Sequence, residues 1–206
     1  MSTLDFAGSK GKPVVVVGSL NMDLVMRTPR VPVGGETLHG HEFSTLPGGK
    51  GANQAVACAR LGAKVSMIGQ VGNDGFGTTL RDGLAADGID VSGVLQTTAV
   101  GTGVAMILVE DIGQNRIVLA AGANGALTPD DIEAQAALIG GAAMLVLQLE
   151  VPMPVVERAL AIAHNAGEVW PKNAFIKRPG TVTVRIGPVI DSTGRSAAEL
   201  TRALEA

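Results

Sequence analysis

Residues 13–23, Pro13-Val14-Val15-Val16-Val17-Gly18-Ser19-Leu20-Asn21-Met22-Asp23, decide the architecture of this chain. A run of β-branched residues closed by glycine reads as a strand buried on both faces, the kind found in parallel sheets covered by helices. The chain then turns polar. Asn21 and Asp23 are two residues apart, so in extended chain their side chains point the same way. A polar pair just past the C-terminal end of a strand is where open α/β sheets place their ligands. There Asp23 can accept hydrogen bonds from two sugar hydroxyls, or it can act as a turn residue bonding its own backbone.

The second informative stretch is Leu46-Pro47-Gly48-Gly49-Lys50-Gly51-Ala52-Asn53-Gln54-Ala55, immediately before a strongly helical run. Gly48, Gly49 and Gly51 let backbone approach a ligand closely. Lys50 and Asn53 share one face of the helix they begin. At a helix N-terminus, free N–H groups and the dipole favour oxygen-rich ligands, so the arrangement suits a sugar or a phosphate. Two better-known phosphate motifs are excluded. A P-loop requires Ser or Thr after its lysine, and Gly51 follows Lys50; a dinucleotide fingerprint starting at Gly49 would need glycine where Gln54 stands. The plain alternatives are a glycine-rich turn that only caps a helix, and a solvated surface charge at Lys50.

Downstream, Gly101-Thr102-Gly103-Val104-Ala105 opens another strand, and Ala120-Ala121-Gly122-Ala123-Asn124 closes the next. Leu145-Val146-Leu147-Gln148-Leu149-Glu150 is an apolar strand ending in a carboxylate, which is either a ligand contact or an exposed strand-end charge before Pro152. Asn124 reads equally as a turn residue or a site residue. Asp74, before Gly75-Phe76-Gly77, reads as a helix N-cap. The expected order is strand 13–18, strand 23–28, helix 50–61, strand 64–70, helix 74–87, strands near 94–98, 103–110 and 115–121, helix 129–139, strand 143–149 and helix 152–165. Alternating strands and helices imply a parallel sheet flanked by helices.

Composition narrows the function classes. With 206 residues, 46% hydrophobic and 17% charged, the chain suits one α/β domain. A net charge of −3 gives no basic stripe for nucleic acid. The single cysteine, Cys58, excludes an internal disulfide and a thiolate metal cluster; set among alanines in a helix, it reads as a small buried hydrophobe. No apolar run reaches the ~20 residues of a membrane span. A cytoplasmic protein is expected, with residues 1–12 as a disordered leader.

Taken in order, V-V-V-G-S-L-N-M-D, G-G-K-G-A-N-Q-A, A-x-x-G followed by V-G-x-D-x-F-G, G-T-G-V-A, A-G-A-N and L-Q-L-E resemble ribokinase and its relatives, the PfkB-type carbohydrate kinases. The resemblance runs from about Pro13 to about Gly167, the N-terminal half of such a kinase. It implies a three-layer α/β/α fold with a mainly parallel sheet and a small β lid, formed by residues 36–47 and 94–121. It implies that Asn21 and Asp23 bind ribose hydroxyls, that Gly49, Lys50 and Asn53 bind the sugar from the helix N-terminus, and that Glu150 reaches it from another side. ATP and Mg²⁺ are the cofactors it implies. A homodimer through the lid, or association through an exposed sheet edge, is the expected partner state. The family's second signature, a G-A-G-D-x-F loop carrying the catalytic aspartate and the anion hole, does not occur after Glu150. The expectation is therefore a truncated kinase that keeps a sugar pocket and no catalytic residue.

Residues 164–191 are similar instead to the C-terminal part of bacterial 1-acyl-glycerol-3-phosphate acyltransferases, giving a chimera-like chain with a tail at 166–206. That family's H-x-x-x-x-D pair is missing, since His39, His41 and His164 are followed five residues on by Ser44, Leu46 and Val169. Within the tail, 181–187 alternates as a strand and 196–206 reads as an amphipathic helix.

Overall fold

The computed structural model describes residues 12–165. The expected leader (apart from Lys12) and the acyltransferase-like tail, with its strand and helix, lie outside the described residues.

Two four-stranded sheets share the chain. The larger has the order β5-β4-β1-β8 and is parallel throughout: β1 is Val14–Val17, β4 Val65–Gly72, β5 Asp90–Thr97 and β8 Met144–Leu147. β1 lies between β4 and β8, and its alternation divides the core. Val16 faces Met67, Leu80, Leu84 and Val94 on one side; Val15 and Val17 face Ile132, Ile139 and Val155 on the other. The first face is covered by α1 (Lys50–Arg60) and α2 (Gly75–Ala86), the second by α3 (Pro129–Ala134), α4 (Ala136–Gly140) and α5 (Met153–Asn165). This is the expected three-layer α/β/α arrangement. The buried residues of α1 are all small, Gly51, Ala52 and Ala55, which lets it lie close to the sheet. A Cβ on Gly51 would come within 2.6 Å of the Gly18 carbonyl carbon.

The smaller sheet has the order β3-β2-β6-β7, with β2 Asn21–Thr28, β3 Glu42–Gly48, β6 Gly103–Glu110 and β7 Asn115–Ala120. It takes in parts of both segments expected to form a lid, with different membership, and is called the lid below. β2 is one of its two inner strands, parallel to β6 and antiparallel to β3. β5, which the expected lid overlapped from residue 94, instead pairs with β4 in the larger sheet, because Val94 belongs in the core beside Met67. β3 starts at Glu42, not at 36. Glu36 is tied back to Arg30 (2.7 and 2.5 Å) and to the Val33 N–H (2.9 Å), closing a turn instead of joining a ladder. The Arg30 guanidinium and that N–H hold the Glu36 carboxyl down at about 2.

The expected helix 129–139 is interrupted at Gln135, whose N–H bonds the Ile132 carbonyl in a tight turn. Its start follows the sequence: Thr128 and Asp131 form a reciprocal capping box, and Pro129 occupies the first turn. Cys58 is half-buried against the core.

Candidate sugar site at the base of the lid

The chain passes from β1 into β2 through Gly18-Ser19-Leu20, so the C-terminal end of the larger sheet and the base of the lid meet there. Asn21 and Asp23 lie on one face of β2, opposite Gly48 and Leu46 of β3 and Gly103 and Ala105 of β6. Three of the predicted contacts converge on this junction because glycines leave room for them. Gly48 lies against Asp23, where a Cβ would stand 2.6 Å from the carboxyl carbon. Gly49 has φ +94°, and a Cβ there would meet the Asn21 nitrogen and Ser19 oxygen at 2.7 Å. Only glycine tolerates that backbone and that contact together.

Glu150 closes the site from the other sheet. Its carboxylate accepts a hydrogen bond from the Ser19 hydroxyl (2.8 Å) and is ion-paired with Lys50 at the first position of α1. Burial pushes the Glu150 carboxyl up, but the Lys50 ammonium, the Ser19 hydroxyl and the Lys50 backbone N–H outweigh it and leave the group below its ordinary value. Glu150 therefore serves as the anion at the N-terminus of α1, where Gly49 offers no side-chain cap. The sequence reading left the N–H groups of this helix free for a ligand. The structure uses them differently: Ala52 donates to the Ser19 carbonyl (3.0 Å) and Gly51 points to the Ser19 hydroxyl (3.5 Å). Asn53 sits on the Lys50 face of α1, exposed and without a side-chain partner among the described residues.

Asp23 is half-buried and has no hydrogen-bond partner among the described residues. Burial raises its pKa, and the nearby Glu150 charge raises it further. Two carboxylates in electrostatic reach of one another, one of them unpartnered, form a poor site for phosphate and a good one for a neutral molecule bearing hydroxyls.

Three further contributors appear: Ser19 and Gln148, to which sequence reasoning gave no role, and Asn124, which it left open between a turn residue and a site residue. Ser19 links β1, α1 and Glu150. Gln148 accepts from the Ser19 N–H (3.2 Å), and Asn124 bonds Leu20 and Asn21 from the 3₁₀ turn at Gly122–Ala126. The available signal was a polar residue inside an apolar strand, since a buried Gln must find a partner. Asp74 is the N-cap of α2 as expected, accepting from the Gly77 N–H (2.8 Å).

Residues 12–178 match the family model described as pfkB family carbohydrate kinase. The chain belongs to that family. A ribokinase of Schizosaccharomyces pombe is 51% identical over 160 residues, covering 75% of this chain and 50% of that protein. Among solved structures, ribokinase from Giardia lamblia aligns with a TM-score of 0.70 at 33% identity, covering 75% of this chain and 50% of the other. Arabidopsis thaliana ribokinase, solved with ribose and ATP, gives 0.68 at 31%, covering 75% and 51%. The chain thus spans about half the length of the curated pfkB relatives it matches. Among the described residues no helix is long and apolar enough to cross a membrane.

Proposed function

We propose that residues 12–165 form the sugar-binding side of a ribokinase-like kinase and hold a ribose-type sugar between Asp23, Asn21 and the Gly49–Lys50 turn. The observation that carries this reading is the half-buried, unpartnered Asp23 carboxylate, walled by Gly48 and faced by the Lys50–Glu150 pair. Asp23 accepts from sugar hydroxyls, Asn21 and the helix-terminal residues orient the ring, and Glu150 keeps Lys50 in place. In a complete kinase the ATP γ-phosphoryl would pass to the ribose 5-hydroxyl in the cytoplasm. The base and anion hole for that step have no counterpart in this sequence after Glu150, so these residues alone are expected to bind sugar without phosphorylating it. Among the described residues no group of three or more His, Cys, Asp or Glu gathers to hold a metal ion by side chains alone.

A second reading, a dimerising module, draws on the lid. Phe43, Met106 and Val118 lie on the lid face opposite Asp23 and are exposed. Apolar side chains gathered on one face favour association.

Thermal unfolding with and without D-ribose, for the wild type and Asp23→Ala, tests the first reading. A ribose-dependent rise in Tm confined to the wild type supports it. An unfolding curve indifferent to ribose in both proteins rejects it.

A further inference from the structure

Asn124 is 1% exposed, and its side-chain amide is fully committed. Its Oδ1 accepts from the Leu20 N–H (2.8 Å); its Nδ2 donates to the Leu20 carbonyl (2.9 Å) and to Asn21 Oδ1 (2.8 Å). The orientation of this amide leaves no choice. A backbone N–H can only donate and a backbone carbonyl can only accept, so Leu20 dictates which end of the Asn124 amide is oxygen. The end left facing Asn21 is then a donor, and the Asn21 atom that meets it must be the oxygen. A further observation agrees. Gly103 is the neighbour of Asn21 on β6, and a Cβ there would overlap both Asn124 Nδ2 and Asn21 Oδ1. Glycine at 103 keeps open the space in which the two amides meet.

We infer that Asn124 is a positioning residue that locks Asn21 as a hydrogen-bond donor toward the site. This deepens the proposed sugar-binding function and rests on it for the identity of the ligand. With Oδ1 held by Asn124, the remaining polar edge of Asn21 is its NH₂ group, on the β2 face it shares with Asp23. Asp23, ionised, can only accept. The site therefore presents one fixed donor beside one fixed acceptor. Neighbouring hydroxyls satisfy both, because each hydroxyl accepts at its oxygen and donates its proton. A carbonyl or a phosphate dianion satisfies Asn21 and leaves Asp23 facing lone pairs. The selectivity of the pair for a diol over a keto or phosphate group is set by an amide that itself need not touch the sugar.

The first test needs no ligand. In ¹³C,¹⁵N-labelled protein, the Asn124 side-chain amide protons are expected to exchange slowly, with a scalar coupling across the hydrogen bond from Asn124 Nδ2 to the side-chain carbonyl carbon of Asn21. The Asn21 NH₂ protons are expected to exchange faster. Protected Asn21 NH₂ protons beside a rapidly exchanging Asn124 amide overturn the inference. The second test is a cycle of D-ribose affinities. Asn21→Asp can still accept from Asn124 but exchanges the donor for an acceptor, and should bind ribose about tenfold more weakly. Asn124→Ala should weaken binding similarly in the wild type and leave it unchanged in an Asn21→Ala background. Equal losses in both backgrounds would make Asn124 a purely structural residue. A wild type that binds no ribose removes the proposed function, while amide exchange still decides the orientation of Asn21.

Discussion

Lys50 and Glu150, a hundred residues apart, are ion-paired across the first turn of α1. The pair joins the helix after the lid's first hairpin to the loop after the last strand of the larger sheet. It is asymmetric: the Lys50 side chain is 71% exposed and the Glu150 side chain 21%. The lysine therefore adds little stability on its own, and Glu150 contributes more through the helix N-terminus.

Replacing Glu150 by Gln removes the like charge beside Asp23. Of the two influences that raise the Asp23 pKa, burial remains and the Glu150 charge goes. Asp23 should titrate lower than in the wild type while staying above an ordinary aspartate. Carboxyl NMR titration of both proteins checks this. The loss of the anion at the α1 N-terminus should lower stability by about 1 kcal/mol in urea.

Asp23→Asn should separate stability from binding. A carboxyl whose folded pKa is raised favours folding below its unfolded pKa and loses that contribution as pH rises through the folded value. At neutral pH the ionised Asp23 therefore works against the unliganded fold. The Asn variant should melt at a higher temperature than the wild type at pH 7, with the gap closing toward pH 3. Its ribose-dependent shift should vanish. A lower Tm for the variant at pH 7 would contradict the unpartnered state of Asp23.

Gly48→Ala and Gly49→Ala should fail in different ways. At Gly49 the backbone is left-handed, and the added Cβ meets backbone atoms of Ser19, Leu20 and Asn21 that cannot yield. A loss above about 1 kcal/mol is expected. At Gly48 the three atoms nearest the Cβ all belong to the Asp23 carboxylate, a side chain able to rotate. Stability should change by less than about 1 kcal/mol while ribose affinity falls at least tenfold. Denaturant unfolding and ribose titration of the two variants distinguish the cases.

The larger sheet was legible because Val14–Val17 and Leu145–Leu147 are apolar without interruption, which only a strand covered on both faces requires. Asn21, Asp23, Lys50 and Glu150 were legible as candidates because a polar residue at a strand end or helix start has few local duties. Lid membership was not. β2 and β5 are both eight-residue strands, and which sheet each joins depends on long-range partners: Val94 finding Met67, and Asn21 pairing between Gly48 and Gly103. The roles of Ser19 and Asn124 were hidden for the same reason. Asn124 acts on Leu20 and Asn21 from over a hundred residues away, and no local pattern encodes that distance.

Asp74 offers a test of how the lid is anchored. Its carboxylate accepts from the Gly77 N–H at the start of α2, and from the Thr102 N–H (2.8 Å) and hydroxyl (2.7 Å) just before β6. The Thr102 hydroxyl in turn accepts from the Gly72 N–H at the end of β4 (3.0 Å). One carboxylate thus fixes the point where the chain crosses into the lid, one residue from Gly103. Burial pushes its pKa up, but the Thr102 and Gly77 donors outweigh this and hold it below the ordinary value. A lowered carboxyl contributes stability above its unfolded pKa and loses it as pH falls through the folded one. Asp74→Ala should remove the cap, worth about 1 kcal/mol, and two charge-assisted bonds to Thr102, for a loss of about 3 kcal/mol at pH 7. Asp74→Asn can still accept from Gly77 but cannot serve every donor, and should lose less. Both variants should show a smaller decline in stability between pH 5 and pH 2 than the wild type, since the group that titrates there is gone. Urea midpoints across that range decide the matter, and an unchanged acid decline would mean that other carboxylates govern it.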